Sequence, residues 1–362
     1  MSDANVNLPG LNSNYSDNST PNTGSDNREL YMELFSQEVL QAFMQNQVAM
    51  ERISVKQISG AKSYRWPATG RLDAAEVHTP GSEILGQEVL HSERVISVDQ
   101  QLVASVFTDS VDDALVAYDE RSIMAYQAGQ TLANTADQFA LQSMSLAAEA
   151  PATVQGLDGG SVLGFTDAGA IAGNMDLVLD AIFAGLREMD QKFVPGTDRN
   201  IFVDSLVYYS LMRDPTVAIG QQQYQNAKSP IAAFMSRDTG GTGDLNSAGG
   251  MPRIGGAALI KTQNLLRQNI TGTPGGKYDV DNTNTVALLN TPQAVGAVKL
   301  IGLTTDSTWD PRRLGWLTVA RMALGMGVLR PECAVLISDA GGESLTPETG
   351  TAGNRPGDSG GA

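Results

Sequence analysis

The chain has 362 residues and a formal net charge of −16 at pH 7, and 41% of its residues are hydrophobic. Its length allows two or three compact units of roughly 100–200 residues each. The acidic balance argues against tight binding to DNA or RNA, because that affinity comes largely from Lys and Arg side chains that neutralise phosphates. One cysteine, Cys333, excludes a disulfide framework within the chain. The sequence has no apolar run of the ~18 residues that a membrane span needs, and no secretory signal.

Both ends of the chain are polar. Residues 1–28 are mostly Asn, Ser, Asp, Gly and Pro, and residues 339–362 are mostly Gly, Thr, Pro and Ser. Such segments cannot bury enough apolar surface to offset the entropy cost of ordering. We therefore predict a disordered N-terminal segment over 1–28 and a flexible C-terminal tail over 339–362. From Glu29 onward, apolar residues at helical spacing predict the first helix.

Residues 56–94 have the character of a long β-hairpin. The segment contains β-type residues, several glycines, two prolines (Pro67 and Pro80) and a dense, balanced set of charges. Proline confines such strands to the edges or ends of sheets. An isolated hairpin is only marginally stable in water, so we expect this one to pack against another surface.

A long helix is predicted over 109–150, where proline is absent and apolar or small residues recur three or four positions apart. Asp109, Asp112 and Asp113 suit the positive end of the helix dipole, and Pro151 stops the helix. About 40 residues at 1.5 Å each would span roughly 60 Å, which suits a helix that braces an extended object. Gly129 costs about 1 kcal/mol relative to Ala and is where we expect a bend or a division.

The second half of the chain is predicted to alternate shorter helices, strands and loops. Three helices are expected, from Asn174 to about Lys192, from near Ser205, and over 310–326, where Asp310 is the cap and Pro311 the first-turn residue. Four short strands and two Gly-rich loops complete the pattern, with strands at 201–203, 257–260, 294–300 and 334–337 and loops at 237–256 and 271–285.

No motif for catalysis, phosphate binding or metal binding stands out. The Gly276-Lys277 pair lacks the earlier glycine and the following Ser or Thr of a phosphate-binding loop. The only histidines, His78 and His91, lie in the charged hairpin without a second plausible ligand. With only these two histidines, the chain has few candidates for a general acid or base or for a Ser-His pair. The sequence therefore predicts no enzyme, no metal site and no cofactor.

Six segments, in order along the chain, resemble the major capsid proteins of short-tailed bacteriophages of the T-seven type. The first two are similar to the two sides of the family's extended loop, the third to the opening of its spine helix, and the last three to its axial domain and closing strands. The segments are 59–71 (SGAKSYRWPATGR), 91–99 (HSERVISVD), 111–122 (VDDALVAYDERS), 193–204 (FVPGTDRNIFVD), 294–300 (AVGAVKL) and 329–336 (LRPECAVL).

The resemblance implies an α+β chain with the Hong Kong 97-type capsid fold. Its parts would follow one another along the chain as an N-terminal arm (29–55), an extended β-hairpin loop (56–95), a peripheral domain (96–167) with the spine helix at 109–150, an axial domain (168–305) and a return to the peripheral domain (306–338).

The implied role is that of a structural subunit of an icosahedral phage head, which self-assembles into hexamers and pentamers and encloses double-stranded DNA. Expected partners are copies of the chain itself, a scaffolding protein during assembly, a portal protein at one vertex, packaged DNA through weak non-specific contact, and optionally a decoration protein. No membrane partner is expected. The implied location is the virion, with assembly in the host bacterial cytoplasm.

Two sets of residues are predicted to make the contacts between subunits. The hairpin would lie across a neighbouring subunit, and its contact residues would be Lys62, Arg65, Trp66, Arg71, Glu76, Glu83, Glu88 and Arg94. Residues 95–150 carry eight acidic residues against a single basic one, Arg121, and so could form the complementary surface. The spine-helix residues predicted for that surface are Asp112, Asp113, Asp119 and Glu120.

Three alternatives remain open from the sequence. An encapsulin-like nanocompartment shell would share the fold but hold a cargo protein. A soluble α/β enzyme with an unrecognised site would form only small oligomers. A tail or fibre protein would require β-repeats, which the sequence lacks.

Overall fold

The computed structural model describes residues 27–72, 78, 89–99, 101–109, 120–154, 156–164, 175–213, 253–339 and 343–344. The described helices are α1 (Asn27–Asn46), α2 (Glu120–Glu149), α3 (Met175–Gln191) and α4 (Ser205–Arg213). The described strands are β1 (Ser54–Gln57), β2 (Ser63–Thr69), β3 (His91–Ser97), β4 (Gln101–Asp109), β5 (Ser161–Gly164), β6 (Asn200–Val203), β7 (Arg253–Ile254), β8 (Ala257–Lys261), β9 (Asn269–Ile270), β10 (Val280–Asp281), β11 (Thr285–Asn290), β12 (Val295–Asp310), β13 (Gly315–Val328), β14 (Ala334–Ser338) and β15 (Glu343–Ser344).

The long hairpin of β12 and β13 is the centre of a four-stranded sheet with the order β1-β12-β13-β4. The hairpin pairs antiparallel from Val295 opposite Val328 to Asp310 opposite Gly315. β4 continues the sheet antiparallel to β13, and β1 pairs parallel to β12. The predicted helix over 310–326 is therefore wrong, because most of that segment is strand β13.

The Asp-Pro sequence begins a turn here and not a helix. The Asp310 carboxylate accepts a hydrogen bond from the Arg312 N–H at 2.9 Å, and the Asp310 carbonyl accepts one from the Arg313 N–H at 3.2 Å. Leu314 then adopts a φ of 52° before the chain returns. Asp and Pro favour such turns as strongly as helix starts. Beyond the turn, the side chains on one face of the strand are buried, at Thr318, Ala320, Met322, Leu324 and Met326.

A seven-stranded mixed sheet has the order β15-β5-β14-β11-β6-β8-β7, and the amphipathic helix α3 packs against β14 and β11. The strands predicted at 201–203, 257–260 and 334–337 lie in this sheet. β11 is fully buried and was not predicted, because it directly follows the Gly- and Asn-rich loop. The predicted flexible tail is wrong at Asp339, whose N–H donates to the Asn284 carbonyl at 2.8 Å, and at 343–344, which pair with β5. The predicted disordered segment 1–28 is wrong at 27–28, which belong to α1. Residues 340–342, 345–362 and 1–26 lie outside the described residues.

α1 and α2 lie against each other, and α2 also packs against both sheets. The predicted long helix is wrong at Asp109, which is the last residue of β4, and the part of the prediction over 110–119 lies outside the described residues. Its end before Pro151 is confirmed, so 30 residues give a length of about 45 Å.

Gly129 does not divide α2. A Cβ atom at this position would lie 2.5 Å from the Val39 carbonyl oxygen and 2.7 Å from the Ala42 Cβ. The glycine is needed because the backbone of α1 passes directly over it. The expected cost in helix propensity is thus offset by close packing between the two helices.

Candidate inter-subunit surface

The predicted extended loop begins and ends as a two-stranded antiparallel hairpin. β2 and β3 pair from Ser63 opposite Ser97 to Thr69 opposite His91. Side chains alternate between the two faces of a strand, so one face of this hairpin points at the rest of the chain and the other points away. Among the predicted contact residues, Glu76, Glu83 and Glu88 lie outside the described residues.

The inner face of the hairpin rests on its own chain. Ile96 is only 3% exposed and packs with Val298 and Leu329 in a small apolar cluster separate from the main core. Trp66 packs against this cluster and meets Tyr64 edge-on, with ring centroids 4.7 Å apart. The hairpin is therefore supported at its base by residues of the same subunit.

Arg94 is the cross-strand neighbour of Trp66 and lies on the same face. Its Nε and Nη2 atoms donate to the Thr153 hydroxyl at 3.3 Å, and that hydroxyl donates to the Leu329 carbonyl at 3.0 Å. Two of the predicted inter-subunit residues, Trp66 and Arg94, thus have contacts within the subunit.

The outer face carries an exposed ion pair. The Arg65 Nη1 and Glu93 Oε1 atoms are 2.8 Å apart, and their side chains are 71% and 51% exposed. Val95, on the same face, is 53% exposed. A surface pair of this kind contributes only about 0–1 kcal/mol to stability. Lys62 is exposed, and its carbonyl accepts a hydrogen bond from the Val98 N–H at 2.8 Å.

Arg71 connects the extended loop to the end of α3. Its Nη2 atom donates to the Lys192 carbonyl at 2.9 Å, and its guanidinium lies 4.7 Å from the centre of the Phe193 ring. Phe193 is 77% exposed and has a φ of 57°, which is uncommon for a bulky residue. Arg71 is therefore held by its own subunit at the point where the described part of the loop ends.

The predicted acidic surface on the spine helix lies mostly beyond the described residues. Asp112, Asp113 and Asp119 fall in the segment 110–119, and Glu120 is the first residue of α2 with no described side chain. This surface remains a prediction.

Glycines on β12 and β13 allow the hairpin base to approach these strands closely. A Cβ atom at Gly325 would lie 2.1 Å from the Ser97 carbonyl oxygen. At Gly296 and Gly327, a Cβ atom would lie 3.2 Å and 3.1 Å from the Ile96 side chain. Glycine within a strand often marks such a close approach of another segment. We call Gly296, Gly325 and Gly327 the glycine seat.

A half-buried polar cluster holds the same base from the side. Lys277 Nζ lies 2.9 Å from Asp99 Oδ1 and donates to the Ser97 carbonyl at 3.0 Å. The Tyr278 hydroxyl donates to the second Asp99 oxygen and accepts from the Met326 N–H at 2.9 Å. Burial, followed by the hydrogen bond to Asp99, raises the pKa of Tyr278, so this hydroxyl keeps its proton. No local sequence pattern predicted this cluster, because its members come from three distant segments.

Asp137, on α2, holds the end of the N-terminal arm. Its carboxylate accepts hydrogen bonds from the backbone N–H groups of Val48 (2.6 Å), Ala49 (3.2 Å) and Met50 (3.1 Å). Asp137 is fully buried. Burial raises its pKa, and the three backbone hydrogen bonds oppose that shift. Sequence reasoning missed this residue, since a lone Asp in a helix looks like any solvated acid.

The described residues contain no cluster of metal ligands and no reactive cysteine. Within the ranges that the structure describes, no group of three His, Cys, Asp or Glu side chains could hold a metal ion. Burial raises the pKa of the Cys333 thiol, which matches a small buried hydrophobe. None of the described helices is long and apolar enough to cross a bilayer.

Comparison with known proteins gives the family. The model of a family described as "Gp10A-like: Major capsid protein" matches residues 66–338. The major capsid protein of Escherichia phage T7 is 27% identical over 321 residues, which cover 85% of this chain and 91% of that protein.

Solved structures show the same fold. The capsid structure of the cyanophage P-SCSP1u superposes with a TM-score of 0.67 at 29% identity, covering 90% of this chain and 100% of that one. A virus-like particle from Pyrococcus furiosus gives a TM-score of 0.53 at 13% identity, covering 85% and 99%, and shows the fold alone. The predicted α+β, Hong Kong 97-type fold is confirmed.

A likeness at 13% identity shows the fold alone, so the assignment depends on the family match and not on the fold. That match spans well over half of the chain and includes most of the β2–β3 hairpin, all of α2, and every described strand of the two large sheets except β1 and β15. It favours a phage capsid over a nanocompartment or an enzyme. The chain therefore belongs to the Gp10A-like major capsid protein family and is a structural subunit of a phage capsid.

Proposed function

We propose that this subunit assembles with copies of itself into hexamers and pentamers, and that these close into an icosahedral head around packaged double-stranded DNA. The extended loop of each copy lies across its neighbour. The particle is built in the host bacterial cytoplasm with a scaffolding protein, carries a portal protein at one vertex, and accepts a decoration protein where one exists.

The outer face of the β2–β3 hairpin is the observation that supports this proposal most directly. The hairpin is fastened at its base by the glycine seat and by Asp99, but its outer face presents Val95 and the Arg65–Glu93 pair to solvent. A two-stranded ribbon with one unsupported face is marginally stable alone. A neighbouring copy that covers this face would stabilise it.

Charge on the hairpin would fix the register of that contact. Individual exposed pairs contribute only about 0–1 kcal/mol, but the same pair recurs in every copy of a closed shell. Weak, repeated and complementary charges select orientation more than they add affinity. The net charge of −16 also fits a shell that holds DNA by weak non-specific contact, since tight binding would need many phosphate contacts from Lys and Arg.

Electron microscopy of the purified protein, expressed with and without its scaffold, tests the proposal. We expect closed particles of uniform size that elute as megadalton species in size-exclusion chromatography. Small discrete oligomers under all conditions would overturn it. Closed particles that contain a co-purified cargo protein and need no scaffold would favour the nanocompartment instead.

A charge swap tests the role of the outer face. Arg65→Glu breaks the ion pair within the hairpin and also changes what a neighbour meets, whereas Arg65→Glu with Glu93→Arg restores the internal pair. We expect both variants to fold and both to lose closed particles. Normal particles from the swapped double variant would show that Arg65 acts only within its own hairpin.

A further inference from the structure

The strand β4 is an uncovered edge of the four-stranded sheet. It pairs with β13 along one side, and none of the other described strands pairs with its second side. None of its nine residues is buried, and exposed and half-buried side chains alternate along most of its length. The second side of β4 therefore presents backbone N–H and C=O groups that can pair with a further strand.

β4 also lacks the features that usually protect the edge of a sheet. Proteins block such edges with charged side chains, prolines or β-bulges. Residues 101–108 contain no charged residue and no proline, and their register with β13 is continuous. By contrast, β1 at the opposite edge of the sheet contains Lys56, and β2 contains Arg65 and Pro67. A long, regular and uncharged edge favours pairing with a strand of another chain.

One face of β4 is apolar and exposed. The other face is turned towards α2, where the Thr108 hydroxyl donates to the Met124 sulfur at 3.7 Å. Because side chains alternate along a strand, the odd-numbered residues lie on the face that points away from α2. On that face, Val103 is 55% exposed and Phe107 is 38% exposed, and the exposed Ser105 lies between them. A partner strand would therefore meet two apolar side chains on either side of a small one.

The sequence of β4 is complementary to itself when two copies run antiparallel. With Ser105 of one copy opposite Ser105 of the other, Val103 lies opposite Phe107, and Gln101 lies opposite Asp109. A β-branched residue opposite an aromatic one stabilises an antiparallel pair, and the Gln amide can donate to the Asp carboxylate. A shift of two residues in either direction places Val103 opposite Ser105 or Asp109 and loses the apolar pair. The residues of β4 therefore favour a single register.

We propose that β4 pairs antiparallel with β4 of a second copy of the chain, around a twofold axis at Ser105. Two four-stranded sheets then form one continuous sheet. Neighbours within a ring are related head to tail, so a twofold contact links subunits that belong to different rings. The inference rests on the proposed assembly and names a contact between adjacent hexamers or pentamers.

Opposite charges at one position test the twofold axis. If Ser105 faces its own counterpart, Ser105→Lys and Ser105→Glu each place two like charges opposite each other, which is destabilising. We expect each variant alone to lower the particle yield by roughly tenfold or more, and a one-to-one mixture to restore it because Lys then faces Glu. Ser105→Thr adds no charge, is the matched control and should assemble as the wild type does. Circular dichroism should show that all variants fold, since Ser105 is exposed.

The other outcomes overturn the inference in distinguishable ways. Normal particles from both charged variants would show that this edge has no partner in the particle. Loss of particles in both variants, without rescue by mixing, would show that Ser105 faces a different segment or a different protein. Failure of the wild type to form closed particles would overturn the proposed assembly itself, and this contact with it.

A cross-link gives an independent measurement. Directly opposite residues of an antiparallel pair have Cβ atoms about 4.5–5.5 Å apart, so Ser105→Cys subunits in assembled particles should form dimers with a short bismaleimide reagent. Thr304→Cys, exposed on the same face of β12, is the control. The two copies of β12 would lie five strand spacings apart, about 24 Å, so this control should not form dimers. Cys333 is buried and should not react. The absence of Ser105→Cys dimers in closed particles would contradict the pairing.

Discussion

Removal of the Asp137 carboxylate should detach the end of the N-terminal arm from the spine helix. In Asp137→Ala, the backbone N–H groups of Val48, Ala49 and Met50 lose the acceptor that they share. Ala49 and Met50 are buried, so water cannot readily replace that acceptor. Asp137→Asn keeps one oxygen and should retain part of the interaction.

The loss in the free energy of unfolding can be estimated from the three hydrogen bonds. Each buried donor left without a partner costs about 1–3 kcal/mol. Removal of the buried carboxylate also relieves its own desolvation penalty, which partly offsets that loss. We expect a net destabilisation of about 2–4 kcal/mol for Asp137→Ala and about half of that for Asp137→Asn.

Urea unfolding of the unassembled subunit, followed by circular dichroism, measures this difference. Asp180→Ala, an exposed acid on α3, is the control and should stay within about 0.5 kcal/mol of the wild type. Hydrogen exchange should show faster exchange of the amides at 48–50 in Asp137→Ala. A midpoint for Asp137→Ala equal to that of the control would refute the reasoning.

The same residue predicts a pH dependence. Burial raises the pKa of Asp137 above its ordinary value of 3.8, so the folded state holds this proton more tightly than the unfolded state. The stability that this group contributes is fully present below pH 3.8 and is lost as pH rises through the raised pKa. The stability gap between the wild type and Asp137→Asn should therefore narrow as pH rises, and a gap that widens would contradict the assigned burial.

Three further variants or probes test other parts of the fold. Gly325→Ala places a Cβ atom 2.1 Å from a carbonyl at the hairpin base and should lower the melting temperature and block assembly, whereas Gly302→Ala, with its nearest contact at 3.7 Å, should change neither. Tyr278→Phe removes a hydroxyl with two hydrogen-bond partners and should cost about 1–3 kcal/mol in urea unfolding. Cys333 is buried with a raised pKa, so a thiol reagent at pH 8 should label it only after denaturation, and rapid labelling of the native subunit would place it at the surface.

Hydrophobic periodicity predicted the elements that have either a single apolar face or a short continuous apolar run. α3 has a single apolar face at helical spacing, and the buried strands β6 and β14 are short apolar runs, so each was predicted within a few residues of its bounds. The hairpin β2–β3 was also predicted, because β-type residues, prolines and balanced charge together favour an edge hairpin.

The errors have a common physical cause. The segment 310–326 combines an Asp-Pro start with helix-forming Leu, Ala and Met, and only its pairing with β12 and β4 makes it a strand. Gly129 was expected to weaken a helix, but its role depends on the backbone of α1, nearly ninety residues away. In each case a long-range contact overrides the local preference.

The location of the inter-subunit contacts on the hairpin stays a prediction, and the sequence could not resolve which side chains face away from the subunit. The sequence placed the contacts on the hairpin, but it could not separate Trp66 and Arg94, which face their own subunit, from Arg65, which faces away. That division depends on strand register. Asp137 and Tyr278 were missed because their partners lie in distant segments.

Hydrogen exchange along the hairpin, compared between free subunits and assembled particles, tests the central claim most directly. If copies of the same chain stabilise the extended loop, amides of β2 and β3 should exchange at least roughly tenfold more slowly in particles, while those of α3 should change little. Equal protection of β2 and β3 in free subunits and in particles would show that the loop needs no neighbour, and would contradict the account.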